Sequence, residues 1–91
     1  MRVTQIMQDI VCILNNLKVN LSNIINIELE VDDNNLLKSS ILIHKTLYDK
    51  IDNNNFIRCT LLINNEIHFN GGINSIQIEN DLYKMQFISQ N

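Results

Sequence analysis

The chain has no proline and no tryptophan, and in 91 residues it carries two glycines, two cysteines and seven basic side chains. Several of these shortages remove a class of function. The Lys and Arg residues are scattered and the net charge is −3. There is therefore no basic stripe of the kind that binds a phosphate backbone, and direct nucleic-acid binding is not expected. The glycines stand side by side at Gly71-Gly72, which reads as a turn and not as a phosphate-cradling loop. No apolar run approaches the roughly 20 residues of a membrane span, so no membrane association is expected. The spacings CxxC, HxxxH, HExxH and GxSxG do not occur, so no metal or nucleophile motif stands out. With no secretory signal at the N-terminus, Cys12 and Cys59 read as free thiols of a reduced, intracellular, cytoplasmic protein.

What is present is a folded but weakly charged composition, 45% hydrophobic and 19% charged. A domain of this length buries only about 60–65% of its unfolded surface, so oligomerisation is the expected way to hide the remainder. Asn and Ile occur 16 times each. An AT-rich genome explains that bias, and phages and parasites have such genomes. By that association alone, a regulator or inhibitor carried by a phage or other mobile element fits.

Taken in order, Val3, Ile6, Met7, Ile10, Ile13, Leu14 and Leu17 recur at three- and four-residue spacing and predict an amphipathic helix over 3–18. The Asn15-Asn16 pair and Asn20 mark its stop. From residue 24 the period becomes two. Ile25, Ile27, Leu29 and Val31 alternate with Asn26 and the acids Glu28, Glu30 and Asp32, predicting a strand over 24–32. Residues 36–51 suit a helix or a strand, and the strand, over 38–51, is preferred. Strands follow at 56–63, 66–70, 73–79 and 82–88, separated by turns at 52–55, Asn64-Asn65, Asn70-Gly71-Gly72 and Asn80-Asp81. The expected fold is α+β: one N-terminal helix packed on an antiparallel meander of five or six strands, in a single domain. A hairpin through 52–55 would set Asp49 opposite Arg58. The last strand would form an edge, only lightly protected by Lys84.

Parity assigns the side chains to two faces. Ile41, Ile43, Leu47, Ile51, Phe56, Leu62, Ile67, Phe69, Ile76, Ile78, Tyr83, Met85 and Phe87 form a continuous apolar surface, the seat of the helix. The opposite face gathers Leu42, His44, Tyr48, Ile57, Cys59, Leu61, Ile63, Glu66 and His68. One helix cannot cover both faces. A second copy of the chain, or another protein, is therefore expected on Leu42, Tyr48, Ile57, Cys59, Leu61, Ile63 and His68. The same face supplies the only site-like grouping. His44, Cys59 and His68 are weak candidate metal ligands, with Glu66 nearby, and a Cys with a His is a weak nucleophile–base pair. The plainer view is that they are half-buried sheet residues. Glu28, Glu30 and Asp32 form an acidic face for a basic partner or a cation, or simply a solvated strand. The expectation is thus a non-enzymatic interaction or assembly protein, homo-oligomeric and without a cofactor. The alternative is a small-ligand or metal-binding domain using His44, Tyr48, Cys59 and His68.

Overall fold

A computed structural model describes residues 10–51 and 56–89. They form one seven-stranded antiparallel sheet, and among them no helix reaches seven residues. The strands are β1 (Ile10–Leu14), β2 (Leu17–Val19), β3 (Ile24–Val31), β4 (Leu37–His44), β5 (Arg58–Ile63), β6 (Glu66–Glu79) and β7 (Leu82–Ser89). A 3-10 turn (Leu21–Asn23) precedes β3, and a single helical turn α1 (Lys45–Tyr48) follows β4. The order across the sheet is β2-β1-β5-β6-β7-β4-β3. A central meander, β5-β6-β7, is thus flanked on each side by a hairpin.

This overturns the α+β expectation. Residues 10–14 and 17–19 are strands, and Asn15-Asn16 is the turn between them, with Leu14 opposite Leu17. Residues 3–9 of the expected helix lie outside the described residues. The strand expected over 38–51 ends at His44, where the ring accepts the Thr46 N–H at 3.1 Å and caps α1. As a result Asp49 does not face Arg58. It pairs with Lys45 at 2.7 Å, across one helical turn. Nor is β7 an edge, because β4 and β6 flank it.

The connection between β2 and β3 forces the sheet to curl. These are the two outermost strands, and a flat sheet of seven would hold them about 29 Å apart at roughly 4.8 Å per gap. The chain passes from Val19 to Ile24 in five steps, which span at most about 18 Å even fully extended. The sheet therefore wraps, and its concave face supplies its own cover. Leu14, Ile41, Ile43, Phe69, Met85 and Phe87 are buried inside it with Cys12 and Cys59. This is why no long helix is needed.

Wrapping is assisted by bulges that place an extra residue on one strand. Ile25 is extra on β3, between Ile24↔Ile43 and Asn26↔Leu42. His68 is extra on β6, between Ile67↔Leu62 and Phe69↔Leu61. Asn74 is extra between Ile73↔Phe87 and Ser75↔Gln86. The bulge at His68 separates Ile67 from Phe69, so Phe69 is buried while Ile67 is exposed on the convex face.

The expected reversal at Asn70-Gly71-Gly72 is absent. β6 runs straight through it, and neither glycine has positive φ. Gly71 is needed for close approach instead: a Cβ there would lie 2.2 Å from the Ile88 carbonyl oxygen. The left-handed positions belong to asparagine, at Asn15, Asn35, Asn64, Asn65 and Asn80. Asn64 and Asn65, with φ of 54° and 69°, carry the turn that two adjacent positive φ values define.

Candidate functional site

The face expected to receive a partner is largely the chain's own interior. Ile57, Cys59, Leu61 and Ile63 are buried in the core, because β5 pairs with β1 and β6 and not with β4. With them goes the need for an external cover. Leu42 and Tyr48 are half-buried, and the Tyr48 ring lies 4.3 Å from that of Tyr83. His68 is the exposed extra residue of a bulge.

The candidate ligands are not brought together. His44 aligns through Leu82 with Glu79, while His68 lies eleven residues earlier on the same strand, towards its opposite end. His44 Nδ1 is engaged with the Thr46 N–H and hydroxyl at 3.1 Å. Cys59 sits inside the curl, diagonal to Cys12 across the β1–β5 ladder. A hydrogen bond with Cys12, reinforced by burial, pushes the Cys59 thiol far above its ordinary 9.0. Thiolate, the reactive form, is thereby disfavoured. Among the described residues no three His, Cys, Asp or Glu side chains converge to hold an ion.

Of the three acids, Asp32 alone is drawn off the strand face, while Glu28 and Glu30 stay two residues apart on β3. Asp32 closes the β3–β4 turn: its Oδ1 accepts the Asn34 and Leu36 N–H groups at 2.9 Å, and Oδ2 lies 3.4 Å from Lys38 Nζ. The Leu36 hydrogen bond, aided by Asn34 and Lys38 and opposed by desolvation, holds this carboxyl below its ordinary 3.8. Glu30 lies opposite Lys38, and Glu28 opposite Ser40.

A different feature is exposed, on β6. This strand has 14 residues, but β5 pairs with only its first half, ending at Arg58↔Gly72. One further hydrogen bond runs from Ile73 N–H to the Ile57 carbonyl at 2.9 Å. Beyond it, residues 74–79 pair with β7 alone among the described residues. The Asn74 bulge returns Ile76 and Ile78 to the concave side, opposite Met85 and Tyr83. With no strand beside them among the described residues, they are 37% and 59% exposed.

The other two edges carry the usual protection against strand pairing. β2 has three residues and an exposed Lys18. β3 carries Glu28, Glu30 and the Ile25 bulge. Along 74–79 the sole charge is Glu79, at the end. Parity reasoning placed Ile76 and Ile78 in the core, and nothing in the sequence tells that β5 begins too late to reach them. On the convex side of the same hairpin, Ser75, Gln77, Lys84 and Gln86 line a shallow polar dent of about 110 Å³.

Compared with protein-family models, with curated proteins and with solved structures, the chain matches none. Among the described residues no helix is long and apolar enough to cross a membrane.

Proposed function

We propose that this chain is a small non-enzymatic protein-interaction module that docks through the free margin of β6, residues 74–79. One observation carries the reading: two isoleucines stand exposed on a strand whose outer side is unpaired among the described residues, while the described edges β2 and β3 are blunted by length, charge or a bulge. Unpaired backbone N–H and C=O groups offer affinity to an incoming strand, and alternate side chains offer selectivity. The candidate ligands are dispersed, so the metal-binding alternative gains no support.

Ile78→Lys tests the reading, because it adds charge to an exposed side chain without opening a cavity. Immobilised wild-type and Ile78→Lys protein are offered the same host lysate, and each retained chain is then purified and tested for direct binding. The module reading expects at least one chain, including further copies of this one, to bind the wild type and lose at least tenfold in affinity for the variant. Equal binding by both proteins would overturn it.

A further inference from the structure

We propose that the occupant of this margin is a second copy of the chain, joined antiparallel to the first across a two-fold axis at Gln77. The proposal rests on the interaction reading above and names its partner. The margin reads Asn74-Ser75-Ile76-Gln77-Ile78-Glu79, and paired with itself about Gln77 it is self-complementary. Ile76 of each copy meets Ile78 of the other, so four half-exposed isoleucines cover one another on the concave side. Moving the axis to Ile76 would set Ile78 against Asn74, which disfavours that register. On the convex side Gln77 faces its symmetry mate, and a primary amide both donates and accepts. Ser75 faces Glu79, and its hydroxyl can exchange the 3.4 Å hydrogen bond it donates to Gln86 Oε1 for one to the carboxylate.

Charge allows the pairing. The two Glu79 carboxylates stand at opposite ends of the joint, four residues or about 14 Å apart. That exceeds the screening length of about 8 Å at physiological salt. The same Glu79 speaks against a nucleic-acid occupant, and two isoleucines are too few to hold the chain on a bilayer. Joining the copies extends each curled sheet across the axis, along a margin that carries no charge before Glu79.

Cross-linking reads the register. Cys12 and Cys59 are 1% and 0% exposed, so an introduced surface cysteine reports alone under mild oxidant. Gln77→Cys is expected to form a covalent dimer in high yield. Ser75→Cys and Glu79→Cys are expected to cross-link when mixed and at least tenfold less when alone. Light scattering is expected to give twice the chain mass for the wild type. Ile78→Lys, with an unchanged melt, is expected to give the single mass. A wild type that stays monomeric at its highest soluble concentration overturns the self-pairing; if Ile78→Lys still loses another protein's binding, the module reading stands without it. A dimer indifferent to Ile78→Lys, or cross-linked in another register, overturns the self-pairing as well.

Discussion

Gly71→Ala is the most direct probe of how the sheet is built. A Cβ at this position meets the Ile88 carbonyl oxygen at 2.2 Å, its carbon at 2.7 Å and Phe69 Cζ at 2.7 Å. An unstrained carbon–oxygen contact is about 3.3 Å or more, so roughly 1 Å must be found. Phe69 can rotate, at about 0.5–1.5 kcal/mol for a strained side-chain angle. The Ile88 backbone cannot move freely, because Ile88 lies between Gly72 on one side and Lys38 on the other. Loosening one or two ladder hydrogen bonds costs about 1 kcal/mol each. Together these give about 3 kcal/mol, the upper part of the usual overpacking range. In a domain of this size that lowers Tm by about 12–24 °C, read by circular dichroism. Asn74→Ala, at an exposed bulge residue, is the control and should stay within about 0.5 kcal/mol of wild type. Gly71→Asn separates the two explanations for the glycine. Asparagine occupies five left-handed positions in this chain, so a positive-φ turn at 71 would accept it. Close approach to Ile88 makes it worse than alanine. A Gly71→Asn protein as stable as wild type would refute the close-approach account.

Three further outcomes follow from individual contacts. Ser39 is 1% exposed, between Leu29 and Phe87, and its hydroxyl has no hydrogen-bond partner. Ser39→Ala should therefore gain up to about 1 kcal/mol in a urea melt; a loss of that size would show that the hydroxyl is satisfied after all. Asp32 has a carboxyl held below 3.8, so its contribution is present above that pH and is lost as pH falls through 3.8 towards the folded value. Asp32→Asn, which keeps an Oδ1 acceptor, should blunt the acid limb of the stability profile, and Asp32→Ala should also lower the plateau. An acid limb unchanged in both variants would remove Asp32 from the account. Cys59 behaves in the opposite sense, since its folded value is raised above 9.0. Its contribution is complete below that pH and falls as the unfolded thiol ionises, by up to about 1.4 kcal/mol per pH unit. Cys59→Ala should flatten the alkaline limb by that slope, and equal slopes in the two proteins would contradict the raised value.

How far the sequence could be read depended on how local the governing physics is. Turns were legible because positive φ is a property of one residue. Asn64 and Asn65 read as a hairpin turn from sequence and form one. Asn15-Asn16 obeys the same grammar, between Ile10–Leu14 and Leu17–Val19. It was obscured because a 3.6-residue period could be threaded through 3–17, and the five-residue alternation of Ile10 to Leu14 was too short to compete. Gly71-Gly72 failed for the converse reason. A glycine required for close approach looks like a turn glycine until the neighbouring strand is known. The exposed margin depends on where β5 begins relative to β6, a long-range property that no window of sequence carries.

Parity was bound to fail in a sheet that curls. Assigning faces by alternation assumes that no strand gains a residue, yet wrapping seven strands tightly enough to join β2 to β3 is aided by bulges, and each bulge reverses parity beyond itself. The reversal at His68 put Leu62 and Ile67 on the convex side, while β5 turned Cys59, Leu61 and Ile63 inward beside Phe69. The reversal at Asn74 then restored Ile76 and Ile78 to the concave side. The turn expected at Asn70-Gly71-Gly72 shifts parity as the Asn74 bulge does, so alternation sets Ile76 and Ile78 on the right face beside Phe69, while Ile67 falls on the wrong one. The exposure of Ile76 and Ile78 has a different origin. Among the described residues β5 pairs with only the first half of β6, and the second half pairs with β7 alone. The bulges that let the sheet enclose its own core therefore also set the side chains of the uncovered half, and the surface available to a partner is where that enclosure stops.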